Sequence, residues 1–393
     1  MVYEKGFENI ANNLRKFREA QGLSQEELAK AAGISRVGYR KIETQISLPR
    51  VSTLKALAEA LSISIQELVT PVNELKHVRF RSQGNINNRN QIIDEISRKL
   101  ENYNDLEQIL NNRIKSTVNQ IVHDKEFISL KNKPKETAAK VRHIFSLDKK
   151  EPIHNICGLL ESNGIKVISI RKTSNNFFGL SVSEEDGGPA IVVNTWERIS
   201  IERWIFTAAH ELAHLLLHLN AYDVCKIEEN KEEEKEANEF ASYFLMPDKA
   251  FLSEWERSSG MLFVDRVLKI KRIFKVSYKT VLYRIQENYK GINPWKLFHN
   301  SYKSKYKKSL TSKEDPEALH KNAYRGSFPE SARSKEPDDL SPRDFHGERL
   351  WSLVRQAIES GKITLSKGSE ILGLNLMEMR DIARDWAESG EEL

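Results

Sequence analysis

The stretch Thr207-Ala-Ala-His-Glu-Leu-Ala-His214 carries an H-E-x-x-H pattern inside a run that reads as helix. Ile205, Phe206, Ala209, Leu212, Ala213, Leu216 and Leu217 recur with helical period, and no glycine or proline interrupts them. Residues four apart leave one helix face a turn apart, so His210 and His214 can offer two nitrogens to one Zn²⁺. Glu211, beside the first, is in place to handle the proton of a water at that ion. Two histidines in so apolar a helix call for a reason, because burying them without partners is unfavourable.

Catalytic zinc uses three protein ligands and one open position, so a third ligand is expected. Downstream, Glu234-Lys-Glu-Ala-Asn-Glu-Phe-Ala241 also reads as helix, with Ala237, Phe240, Ala241, Phe244 and Leu245 on one side. Glu234 and Asn238 share a face, which makes Glu234 the expected ligand and Asn238 a partner that steadies a ligand side chain. Glu236 is the rival; it points about 200° around the helix from Glu234. His218, one turn past His214, is either a fourth ligand or a buried structural histidine, and the complete three-ligand set favours the latter. Arg203 is a candidate for oxyanion support, with a salt-bridge role as the plainer reading.

A chain of 393 residues is too long for one typical core and implies several domains. With 39% hydrophobic and 30% charged residues it has a polar composition, without an apolar run of membrane-spanning length or a signal-peptide start. A cytoplasmic location is therefore expected. Only Cys157 and Cys225 are present, which excludes a disulfide framework and a cysteine-based zinc site. The net charge of +5 permits nucleic-acid binding without arguing for it.

The first 70 residues read as five short helices. Ser24-Gln-Glu-Glu27 is a capping box that opens the second, Gly33 stops it, and Ser35 caps a third from Arg36 to Glu43. Helix, tight glycine turn and helix is the helix-turn-helix pattern. Leu23-Ser-Gln-Glu-Glu-Leu-Ala-Lys, Gly33-Ile-Ser-Arg and Ile42-Glu43 resemble the Cro and lambda-repressor (XRE) type of DNA-binding domain across residues 8 to 69. The resemblance implies that the third helix enters the major groove with Arg36, Val37, Arg40 and Lys41 facing bases, while Gln25 meets the phosphate backbone. Gly38 and Thr44-Gln45 depart from the usual pattern and leave the operator open.

Val78-Arg-Phe-Arg-Ser82 reads as a short strand and Asn85 to Asn90 as a loop. From Ile92 to Ile121 apolar residues fall in steps of three and four, as in a helical arm packed on its own domain or a homodimer helix. Helices over 136–145 and 153–162 precede strands at Gly164 to Ile170, Phe178 to Val182 and Ala190 to Asn194. The last is expected to offer an open edge to an extended peptide. Helices follow over 263–274 and 277–286.

Ile191-Val-Val-Asn194, Arg203, Phe206-Thr-Ala-Ala-His-Glu-Leu-Ala-His-Leu-Leu-Leu-His218, Glu234 with Asn238-Glu-Phe-Ala241, and Phe244-Leu-Met-Pro247 together resemble the ImmA/IrrE family of zinc metallopeptidases. The resemblance implies a zincin-like fold, one zinc on two histidines and a glutamate, and, in some members, cleavage of an XRE-type repressor. Lysines and prolines punctuate residues 301 to 347, which read as a loose connector, and helices resume from Arg349 to Trp386.

The chain is thus expected to be multidomain and mainly α. It comprises a five-helix helix-turn-helix bundle (1–72), a helical connector (73–134), an α+β zinc metallopeptidase domain with a small sheet (135–291), a flexible linker (292–347) and a small helical C-terminal unit (348–393). The expected activity is that of an operator-binding regulator whose zinc endopeptidase, with Glu211 as catalytic base, cleaves a protein substrate of repressor type. The alternative is a regulator or antitoxin whose zinc domain is a sensor or binding platform. A closed, structural zinc site that includes His218 is a third reading.

Overall fold

Several helices of this protein begin at a serine, threonine or asparagine whose side chain caps them. The computed structural model describes residues 2–61, 63, 65–69, 75, 78–82, 89–174, 177–218, 230–310, 334 and 336–390. They divide into two compact units: Met1–Leu75 with Asn87–Arg98, and Lys76–Ile86 with Lys99–Leu393.

The first unit contains α1 (Val2–Ala20), α2 (Gln25–Ala31), α3 (Arg36–Glu43), α4 (Val51–Ala60) and α5 (Ile65–Val69). Ser24 Oγ accepts from Glu27 N, and Glu27 Oε2 accepts in return from Ser24 N at 2.7 Å, closing the expected capping box. Ser35 caps α3 through Gly38 N. Gly33, at φ 68°, turns the chain between the two helices in a conformation that costs a residue with a Cβ. Leu14, Leu28, Tyr39, Ile42, Leu57 and Leu68 form the core. Arg18 locks α1 to α3 by donating twice to Glu43, at 2.9 and 3.0 Å. The N-terminal part of the next helix, α6, belongs here as well; Lys16 pairs with Asp94 at 2.7 Å.

The second unit begins in chain order with β1 (Val78–Ser82) and takes in the remainder of α6 (Arg89–Ile109). There follow α7 (Val118–Val122), α8 (Lys125–Leu130), α9 (Pro134–Ile144), α10 (Ile156–Ser162), β2 (Lys166–Ile170), β3 (Phe177–Val182), β4 (Ala190–Asn194), α11 (Ile201–Leu217) and α12 (Lys231–Leu245). Next come α13 (Asp248–Arg257), α14 (Phe263–Phe274), α15 (Tyr278–Asn288), α16 (Pro294–Tyr306), α17 (Arg349–Glu359), α18 (Leu365–Leu372) and α19 (Leu376–Gly390). The sheet runs β1-β3-β4-β2, with β2 and β4 parallel and the other pairs antiparallel. β3 and β4 are buried along their whole length, as strands covered on both faces are. α11 lies against both of them and against α12, and α12 packs in turn on α9. This explains why α11 is apolar nearly all round rather than on one stripe.

The structure differs from the sequence reading in three places. β4 is an interior strand between β3 and β2, so the edge expected at Ala190 to Asn194 is already paired on both sides. The connector is not a separate body. α6 is one helix, and its Tyr103 and Leu106 bury against Leu353, Val354, Ala357 and Ile371 of the C-terminal helices.

Two parts of the expected flexible linker, 292–347, are structured. α16 forms because Phe298 stacks on Tyr278, with ring centroids 4.9 Å apart. Residues 336–345 dock because Glu336 accepts from Tyr278 N at 2.9 Å and Ser277 Oγ at 3.1 Å, at the positive end of α15. Asp338 O also accepts from Lys271 at 2.8 Å. Residues 311–333 of that stretch, and most of the expected Asn-rich loop, lie outside the described residues.

Candidate metal centre

Ser200 caps α11 and starts the helix so that His210, Glu211 and His214 fall two turns and more inside it, fully buried. Asn230 caps α12, placing Glu232, Glu233 and Glu234 in the first turn, where the helix dipole favours acids. The Nε2 atoms of His210 and His214 stand 2.9 Å apart. Glu234 faces both, with Oε2 3.1 Å from His210 Nε2 and Oε1 3.1 Å from His214 Nε2. Among the described residues these three form the one cluster of histidine, cysteine and acid side chains able to hold a metal ion.

The outer nitrogens have partners. His210 Nδ1 is 3.0 Å from Asn238 Oδ1. His214 Nδ1 is 2.9 Å from His218 Nδ1, and His218 Nε2 is 2.9 Å from Glu236 Oε2. The network fixes the tautomers. An imidazole that donates from Nδ1 to an oxygen or a neighbouring ring presents its Nε2 lone pair inward. His218 accepts from His214 and donates to Glu236. Two Nε2 lone pairs and a carboxylate then converge on one point, an arrangement that repels unless a cation lies within it. Tetrahedral zinc with ligands at about 2.0–2.1 Å separates its donor atoms by about 3.3–3.4 Å. The triangle here is slightly smaller, and the residues fit the ion.

The electrostatics agree. Burial lowers the His214 pKa well below its ordinary value, against an opposing effect of Glu234. Burial likewise lowers His218, against Glu236. Burial pushes the Glu234 carboxyl up, but hydrogen bonding and positive charge at the His210 and His214 rings outweigh it and hold the group well below the usual carboxylate range, a place that a metal ion's charge would take over from a proton. Neutral imidazoles and an ionised carboxylate are the protonation states that bind metal.

Three further residues complete the site, none legible in the sequence. Ser181 Oγ on β3 donates to Glu211 Oε2 at 2.8 Å. Gly179, two residues earlier, lets α11 approach; a Cβ there would stand 2.5 Å from Thr207 Cγ2 and 2.7 Å from Val192 O. Arg79 on β1 donates to Glu234 Oε1 at 3.3 Å and also bonds Glu233. Arg79 and Glu234 lie 155 positions apart, and no local pattern links them. Arg203, considered for oxyanion support, instead stacks over the Phe178 ring at 4.0 Å.

In the first unit, Tyr39 and Ile42 turn α3 inward, leaving Arg36, Val37, Arg40 and Lys41 exposed. Arg36 is 3.9 Å from Glu26, with its side chain 65% accessible. Gln25 is half-buried and donates to Glu43 at 3.3 Å, so its amide is directed within the domain.

The fold and the cluster define a helix-turn-helix protein joined to an α+β domain built around an H-E-x-x-H helix. Residues 14–68 match the helix-turn-helix family model, and residues 160–286 match that of the IrrE N-terminal-like domain, peptidase family M78. The chain belongs to the helix-turn-helix transcriptional regulators, and its second unit carries an ImmA/IrrE-type peptidase-family domain.

Curated relatives align with the DNA-binding part. An HTH-type transcriptional regulator of Sinorhizobium fredii is 38% identical over 65 residues, 16% of this chain and 84% of that protein. The control protein C.SmaI of Serratia marcescens is 38% identical over 63 residues, 16% of this chain and 75% of its own length. A hypothetical transcription factor of Neisseria meningitidis serogroup B is 34% identical over 65 residues, covering 16% and 61%. No helix among the described residues is long and apolar enough to cross a membrane.

Proposed function

We propose that this protein is an operator-binding regulator whose second unit is a zinc-dependent endopeptidase acting on a repressor-type protein. The observation that carries this reading is the convergence of His210 Nε2, His214 Nε2 and the Glu234 carboxylate beside the buried Glu211. Zinc held there supplies Lewis-acid polarisation of a scissile carbonyl and acidifies water toward neutrality. Glu211 takes a proton from the attacking water onto its carboxylate and delivers it to the departing amine. Ser181 keeps the Glu211 carboxylate turned toward the site through the bond to Oε2. Asn238 and His218 hold the two imidazoles in the tautomer that presents Nε2. On α3, Arg36, Val37, Arg40 and Lys41 read bases, and Gln25 meets the backbone once it turns from Glu43.

A second reading, a regulator or antitoxin that uses the metal domain only as a sensor or platform, draws support from relatives that match the DNA-binding part alone. Metal analysis of the wild type, His214→Ala and Glu234→Ala, followed by proteolysis of cognate partner proteins, separates the two. The peptidase reading expects zinc in the wild type, loss in both variants, and cleavage that falls by about 10²–10⁴-fold in metal-replete Glu211→Gln. Zinc without Glu211-dependent cleavage favours the sensor. Absence of zinc from the wild type rejects both.

A further inference from the structure

β1 lies outside residues 160–286, which match the peptidase-family domain, yet it completes the sheet. Without it, β3 would be the sheet edge, and β3 is the strand whose Ser181 and Gly179 meet the H-E-x-x-H helix. We infer that the free side of β3 is the groove for an extended peptide segment, and that β1 with Arg79 is its resident occupant, which a substrate must displace. This inference rests on the endopeptidase reading and adds the direction and chemistry of the bound segment.

The register of β1 against β3 places Arg79 at the site. Arg79 pairs with Ser181, the residue that holds Glu211. Directly opposed residues of an antiparallel pair project on the same face of the sheet. Arg79 is therefore aimed at the metal-centre side, and its guanidinium, 8% exposed, reaches Glu233 and Glu234. It contacts Glu234 Oε1, the same oxygen that faces His214. A strand added antiparallel to β3, with one side chain directed at the centre, is the pose of a peptide bound by strand addition. The main chain gives affinity there, and alternate side chains give selectivity.

The occupant's grip is short. β1 pairs through Val78, Arg79, Phe80 and Arg81 before the register shifts between Arg81 and Ser82. Its other edge pairs with no strand among the described residues. Such a strand sits at the low-stability end of a fold. β1 is also the first element of the second unit in chain order, after α1 to α5 of the first. The segment selected would be extended and basic opposite Ser181, where Glu233 and Glu234 await a cation.

The test uses the full-length, zinc-loaded chain in a Glu211→Gln background and a fluorescent peptide copying residues 76–84. Arg79→Pro and Phe80→Pro are made separately, because only one of two adjacent amides in an antiparallel strand points at its partner. Hydrogen exchange at β3 reports whether β1 has left. The inference expects the peptide to bind a β1-released variant at least about tenfold tighter than the parent, because an occupied groove lowers apparent affinity by its free fraction. The same peptide with glutamate at the Arg79 position should bind weakly. Equal affinity for parent and released variant overturns the inference. If the proline variants unfold, Arg79→Ala serves: it leaves the ladder amides in place and should still raise peptide affinity, and an unchanged affinity rejects the proposal. Peptide binding with no cleavage in any Glu211-bearing version retains the groove and rejects the peptidase reading. Cleavage indifferent to β1 release does the reverse.

Discussion

His218 shows how one side chain's role turns on which nitrogen it offers. Its Nδ1 meets His214 and its Nε2 meets Glu236, so both ring nitrogens are engaged away from the Glu234 carboxylate. It is therefore placed to orient His214 rather than to serve as a fourth ligand. His218→Ala is expected to weaken zinc binding by about 10–100-fold, measured by chelator competition. Unchanged affinity would reduce His218 to packing.

A second residue of this kind is Glu161, buried where its carboxylate accepts from the backbone N–H groups of Glu348 and Arg349. Burial pushes its pKa up to about 7, the backbone bonds opposing. The folded state then holds a proton that the unfolded chain releases near the ordinary glutamate value. This contribution to stability is greatest at acid pH and declines as pH rises from about 4.5 to about 7. Asp339, which burial raises from 3.8 to about 7, acts with the same sign over a window that opens slightly lower. Melting temperature measured across that window should fall with a shallower slope in Glu161→Gln, and an unaltered slope would contradict the assignment.

At the scale of elements, the contact between β3 and α11 is the tightest constraint on the site. Gly179 is there because backbone carbonyl and helix side chain occupy the space of a Cβ. Gly179→Ala should therefore destabilise the second unit by about 1–3 kcal/mol through overpacking, and should separate Ser181 from Glu211. Thermal melting gives the first effect, and the pH dependence of cleavage gives the second. A melting temperature equal to wild type would mean that α11 has room to move.

α11 and α12 are held at the site by their caps and by the packing between them, so the three candidate ligands come from two rigid helices. Both helices were legible from their apolar period. α16 was not, because its lysine-rich surface hides the buried Phe298, and the docking of Glu336 onto α15 depends on chain far away in sequence.

At the scale of the molecule, the two units have separate cores. Metal linkage is accordingly expected to act on one of them. Saturating zinc should raise the melting transition of the second unit by about 5–10 °C, since a ligand at a hundred times its dissociation constant adds about 2.7 kcal/mol. A chelator should reverse this while leaving operator binding by the first unit unchanged in a mobility-shift assay. Equal shifts of both transitions would show that the cores melt together.

The sequence by itself determined the local features: the capping box at Ser24, the Ser35 cap of α3, the histidine spacing on α11 and the shared face of Glu234 and Asn238 on α12. Each depends on residues within one or two helical turns, where periodicity and hydrogen-bonding reach are enough. It left Glu234 and Glu236 as rivals. Only the tertiary structure turned Glu234 to the two Nε2 atoms and Glu236 to His218, because that choice depends on how α12 is rotated against α11. The same holds for Arg79 opposite Ser181 and for β4 in the sheet interior. Strand order and register join segments beyond the reach of local periodicity, Arg79 and Ser181 among them, and a one-residue slip would send Arg79 to the other face of the sheet.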